Sequence, residues 1–264
     1  MQFIMTRSRL VFVMLVIFIA TTLAAHPGRN SERSQSADNK ASNAKNKDDR
    51  LGPIVDYEAN NKHSTGGDTK LQVLRRIRGD RYKQRTTQPL GEAEVYSDGY
   101  AISTEWEIGL PPLPVSQSDA VILGKVIKAQ AYLSNDRTAV YSEFTILPEE
   151  IFKTPANKGL TVSEALVAER EGGTVRFQDG RLLPYRIFHQ VMPRAGRQYV
   201  FFLKTNEQGE DYHIITAYEL RHGLVSPLDD LQKFAIYKGF DKEAFLKAVQ
   251  DAITHSSQQD EKKN

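Results

Sequence analysis

The first candidates for chemistry in this 264-residue chain are its six histidines: His26, His63, His189, His213, His222 and His255. None stands in an HExxH spacing, which would put two imidazoles on one metal. His213 lies in a strand run on the same face as Ile215 and Ala217 and is expected to be a satisfied core or barrel-mouth histidine. His189 follows Phe188 at a strand end, and His222-Gly223 reads as a loop. Two acidic pairs stand out. Glu149-Glu150 follows Pro148 on a strand, where neighbours point to opposite faces, so the carboxylates do not converge as an acid/base pair. Asp229-Asp230 reads as a helix-start cap. Ser42-Asn43-Ala44-Lys45 spells a serine–lysine nucleophile spacing, but it lies in a polar stretch that no fold positions. Arg78-Gly79-Asp80 spells a cell-adhesion tripeptide, a match that arises readily by chance. The chain has no G-x-S-x-G elbow, no P-loop and no dinucleotide fingerprint. It has no cysteine, which removes thiol nucleophiles, zinc–thiolate sites and thiol redox chemistry. No residue is therefore assigned a catalytic or metal-binding role, and no cofactor is expected.

Two segments are candidates for recognition instead. The loop Leu133 to Thr138 carries Asn135, Asp136 and Arg137 and is flanked by Tyr132 and Tyr141, which offer stacking and hydrogen-bonding surface. These five residues form the candidate ligand-binding loop; the competing reading is a polar β-turn built of residues that turn well. Lys70 to Arg85 carries Lys70, Arg75, Arg76, Arg78, Arg81, Lys83 and Arg85 against only Asp80. Leu71, Val73, Leu74 and Ile77 have helical spacing, so this is an amphipathic helix. It suits contact with an anionic membrane surface through Lys70, Arg75, Arg76, Arg78 and Arg81, or serves simply as a solvated helix. The net charge of +2 is too near balance to imply a specific nucleic-acid partner for the whole chain.

These residues need a scaffold, and the scaffold reads as mainly β. Strand-like runs occur at Asp119 to Leu133, Val140 to Phe152, Thr161 to Glu169, Thr174 to Phe177, Leu182 to Val191, Tyr199 to Lys204 and Tyr212 to Leu220. Short strands separated by turn residues indicate a small barrel or sandwich. Val140, Ser142, Phe144 and Ile146 alternate with Tyr141, Glu143, Thr145 and Leu147, the period of a two-faced sheet. Gly124 marks a bulge. Phe144 and Phe201 are expected in the core. A further strand is expected between Ala93 and Gly109, before the stiff connector Leu110-Pro111-Pro112-Leu113-Pro114. Asp241 caps a C-terminal helix that presents Phe245, Leu246, Val249 and Ile253 on one face, with Phe240 clamping onto Phe245. A shorter helix spans Leu228 to Tyr237 with Leu231, Phe234 and Ala235 inward.

The N-terminus indicates export. Arg7 and Arg9 precede an uncharged apolar run, Leu10 to Ala25, shorter than the about 20 residues of a spanning helix. It reads as a signal peptide or, if retained, a membrane anchor with the remainder exported. The domain plan is thus 1–25 signal peptide or anchor, 26–68 disordered linker, 69–117 basic segment and connector, 118–225 barrel, 226–255 helices packing on the barrel, and 256–264 a polar tail. The localisation is periplasmic or secreted.

The run "SDAVILGKVIKAQAYLSNDRTAVYSEFTILPEEIFK" followed by "GRQYVFFLK" resembles a pattern in uncharacterised exported bacterial proteins. More loosely, it is similar to the OB-type barrels of netrin-like and metalloproteinase-inhibitor-like modules. The resemblance covers Ser118 to Val126, Phe144 to Lys153 and Gly196 to Leu203, although no glycine follows Lys153. It implies a small OB-like β-barrel with a C-terminal helix, preceded by the apolar segment and the tether. It carries over no functional residues: such inhibitors act through an N-terminal cysteine, which this chain lacks. The expected function is a non-catalytic exported binding or structural module for a protein, peptide or envelope component. The alternative is a hydrolase in which His189, His213 and acidic residues meet at the barrel mouth.

Overall fold

A computed structural model describes residues 52–58, 69–83, 88–91, 100–102, 106–155, 159–206 and 211–261. The apolar run Leu10 to Ala25, the Ser42 to Lys45 motif, His26, His63, Arg85 and most of the expected linker lie outside the described residues. Among the described residues, no helix is long and apolar enough to cross a membrane.

The fold is mainly β, as expected. Its centre is a barrel of β3 (Ala120–Leu133), β4 (Val140–Lys153), β5 (Leu166–Glu171), β8 (Gln198–Thr205) and β9 (Tyr212–Arg221). The pairing runs β3–β4–β5–β9–β8 and closes because β8 also pairs with β3. All neighbours are antiparallel except β5 and β9, which meet in parallel through only Ala168↔Tyr212 and Glu169↔His213. β3 serves both sides of the barrel, pairing with β8 over Ala120 to Lys125 and with β4 along its length. It manages this by bending: the β3–β4 register shifts between Leu123 and Gly124. Gly124 is needed there, since a Cβ would lie 2.8 Å from Ile146 Cγ2 and 3.0 Å from the Leu147 carbonyl oxygen.

Alternation then sorts the side chains. Ala120, Ile122, Phe144, Ala168, Phe201 and Ile214 fill the barrel interior. Val121, Leu123, Val200, Phe202 and Tyr218 face outward, where α2 (Lys242–Glu261) covers them with Phe245 and Val249. Asp241 caps α2 by accepting from the Glu243 and Ala244 amides at 2.9 and 3.3 Å. The expected Phe240–Phe245 clamp is relayed: Tyr237 sits 5.4 Å from both rings.

A second sheet was not foreseen. β1 (Ile54–Asp56), β6 (Gly173–Arg176), β7 (Leu182–Ile187) and β2 (Tyr100–Ile102) associate in the order β1-β6-β7-β2. It packs on the far ends of β3 and β4 through Val55, Leu133, Val140, Val175, Leu183 and Tyr185. β1 corrects the linker reading: Ile54–Asp56 lies inside 26–68, yet it pairs with β6 and buries Val55. One apolar residue with a ready-made sheet edge overrides the polar composition around it. The helix expected over Leu228 to Tyr237 shrinks to a single 3-10 turn, Phe234–Tyr237, and Ala235 is exposed. The 256–264 tail is in part helix, since α2 continues to Glu261. β10 (Leu224–Pro227), missed entirely, extends the sheet beside β9.

Candidate functional site

The outer face of β4 and β5 gathers acid. Glu143 and Glu169 are directly opposite each other in the β4–β5 ladder, and Asp211 lies just before β9. All three are buried. Like charges facing across a ladder repel, so this wall needs cations. They come from α1 (Lys70–Arg81), which starts with a reciprocal cap between Thr69 and Gln72. Arg78 is buried, donates to Glu143 at 2.5 Å and to Asp211, and lies 3.9 Å from Glu169 Oε2. Arg81 donates to Glu169 Oε1 and lies 3.9 Å from Asp211. Asn206 donates to Glu169 at 3.1 Å and to Asp211 at 2.6 Å.

Three carboxylates thus face two guanidinium groups. The imbalance falls on Glu169. Burial pushes its carboxyl up to about 7; Arg81 pulls it down, and the neighbouring Asp211 pushes it up again. Glu169 Oε2 is buried and makes no hydrogen bond. Arg78 responds oppositely: burial works against its charge, but Glu143 and Asp211 outweigh this and hold its pKa above the ordinary value. Burial, reinforced by Glu169 and Glu171, keeps the Tyr82 phenol protonated. Burial and the positive Arg170, Arg81 and Lys204 lower His213 to about 4, so it is neutral beside Glu169.

The candidate loop lies against the same helix. Asp136 organises it internally, accepting from Ser134 Oγ at 2.7 Å and from the Thr138 amide at 3.1 Å. Arg137 takes φ +60° and stacks on Tyr57 at 4.7 Å. Asn135 turns to α1, donating its side chain to the Arg76 carbonyl at 2.8 Å and its amide to the Gly79 carbonyl at 3.3 Å. Tyr141 donates to the Arg75 carbonyl at 3.2 Å, and Arg75 lies 4.5 Å over the Tyr132 ring. The approach is so close that a Cβ at Gly79 would lie 2.3 Å from Asn135 Oδ1. Of the five loop residues, Tyr132, Asn135 and Tyr141 meet α1, while Asp136 and Arg137 shape the turn.

This placement re-reads the basic segment. Arg78 and Arg81 point at carboxylates and Arg75 at Tyr132; the side chains of Arg76 and Lys70 lie at the surface. Arg78 and Gly79 are both buried, so the Arg-Gly-Asp tripeptide is not displayed as a unit. Asp229 is not a helix cap. It is fully buried, pairs with Arg170 at 2.7 Å and accepts from Thr216 and the Val191 amide. His189 sits in an exposed turn at φ +62°, beyond the end of β7. Among the described residues, no group of His, Asp and Glu is arranged to hold a metal ion. Glu143, Glu169 and Asp211 were missed as site residues. The signal available was charge inside strand runs, as in Glu169-Arg170-Glu171, where alternation alone demands buried partners.

Compared with protein-family models the chain matches none, and no curated protein matches it significantly.

Proposed function

We propose that this chain is a non-catalytic exported module that binds a protein, peptide or envelope component through the end of its barrel. The observation that carries this reading is the fit between the acidic β4–β5 face, with its adjoining β3–β4 loop, and an arginine-bearing helix. OB-type barrels commonly take ligands on the face of their second and third strands and on the loops beside it. Here those strands are β4 and β5. The basic start and apolar run at Arg7 to Ala25 support export, and exposed Lys70 and Arg76 support contact with an anionic surface.

The test uses the intact chain. A reporter fused after Asn264 is expected to be active only outside the cytoplasm. The purified chain is then used as bait in an envelope extract, beside an Asn135→Ala/Tyr132→Ala variant. A component retained by the wild type and lost by the variant supports the reading. Equal retention by both moves the binding surface elsewhere. Turnover of a hydrolase substrate panel that disappears with His213→Ala replaces the binding reading with an enzyme.

A further inference from the structure

We propose that α1 is an internal placeholder, and that the partner it stands in for is an arginine-bearing helix of another polypeptide. The inference rests on the binding function proposed above and names that function's surface and partner class. Three observations lead to it. First, the contacts between α1 and the barrel are of the kind found between partners: two guanidinium groups on three carboxylates, and loop donors on helix carbonyls. Second, the match is incomplete. The face keeps one carboxylate more than α1 supplies cations, and Glu169 Oε2 is buried without a hydrogen bond. A buried carboxyl short of a donor is costly to ionise, so a helix bringing a further cation beside Glu169 fits this face better than α1. Third, α1 is amphipathic only in part: Leu71 is 49 % exposed and Val73, Leu74 and Ile77 are half-buried. Charge, more than apolar burial, holds the helix down, and charged contacts are the kind a better-matched competitor displaces.

The experiment uses the full chain and a labelled synthetic peptide with the sequence of residues 69–83. Two variants loosen the internal helix: Arg78→Ala/Arg81→Ala removes its cations, and Gly79→Ala pushes it off Asn135 while leaving the carboxylates intact. Each is checked for its fold by near-ultraviolet circular dichroism. The peptide is expected to bind each folded variant at least tenfold more tightly than it binds the wild type. Adding Glu143→Gln and Asp211→Asn, or replacing the arginines at positions 78 and 81 of the peptide by glutamine, is expected to abolish the gain. A folded variant that binds no better than the wild type overturns the proposal. If neither variant folds, α1 is a required wall of the barrel and the proposal is likewise overturned. Concentration-dependent dimers of the wild type without peptide binding assign the face to helix exchange between copies, against the proposal. Failure here leaves the binding function standing if the intact chain still retains an envelope component.

Discussion

Glu169 and His213 lie opposite each other in the β5–β9 ladder and titrate in opposite senses. Glu169 rises from 4.5 to about 7 on folding, so the folded state holds its proton more tightly than the unfolded chain. The stability this gives is present below about 4.5 and lost as pH rises through about 7. His213 falls from 6.5 to about 4, so its contribution is present above about 6.5 and lost as pH falls through about 4. Each effect is at most roughly 3 kcal/mol, and the windows overlap, so the wild type is expected to show a nearly flat melting temperature between pH about 4.5 and 6.5. Glu169→Gln is expected to unmask a rise with pH, and His213→Asn a fall. Thermal melts across this range check it, and parallel slopes for both variants would defeat it. Asp229 makes a simpler case. Truncating it to alanine leaves Arg170 buried and unpaired, at a cost of about 3–5 kcal/mol, read from the denaturation midpoint. Neither role was legible from residue type. An acid in a strand run announces that it needs a partner, but not which one.

At the scale of elements, α1 shows where sequence reading stops. Its helical spacing and its cations were plain from Lys70 to Arg81, and the helix is there. Its destination was not, because Glu143 and Asp211 stand 65 and 133 residues away from Arg78. The same charge pattern suits water, lipid or carboxylates equally. Gly79 tests the docking. In an exposed helix, Gly→Ala stabilises by about 1 kcal/mol. Here the added Cβ meets Asn135 Oδ1 at 2.3 Å, so Gly79→Ala is expected to destabilise the wild type. In an Asn135→Ala background the clash is relieved, and the same substitution is expected to be neutral or stabilising. An unchanged sign between the two backgrounds, read from urea midpoints, would show that α1 does not press on the loop. The strands, by contrast, were legible because alternation is local: Phe144 and Phe201 are fully buried, as expected.

For the whole molecule, the barrel was readable and the second sheet was not. The barrel's long strands come as chain neighbours, β3 beside β4 and β8 beside β9, whereas β1 and β2 are three-residue strands that join β6 and β7 in parallel from distant positions. Such pairing leaves little trace in composition. The consequence is measurable in truncations. Removing 26–50 from the expected linker is expected to leave the melting temperature unchanged. Extending the deletion through Glu58 removes β1, leaves β6 paired with β7 alone and takes Val55 out of the cluster that holds Tyr82 and Leu90, and is expected to lower it by several degrees. Equal melting temperatures for the two deletions would show that β1 adds nothing to the fold.

The two residue pairs joining β5 to β9 also set an order in time. The β3–β4 hairpin closes between neighbours in the chain, while the β5–β9 seam waits until the hairpin β6–β7 and the whole of β8 have been made. Long-range, parallel and short, it is the barrel seam with the fewest paired residues to offset its loop-closure cost. It is therefore expected to form late on the folding route and to open first in the native state, with amide hydrogens at Ala168 and Glu169 exchanging sooner than those of Phe144. The arginines of α1 reach Glu169 on one side of that seam and Asp211 on the other. A helix made early in synthesis thus becomes the clasp on a joint that closes late.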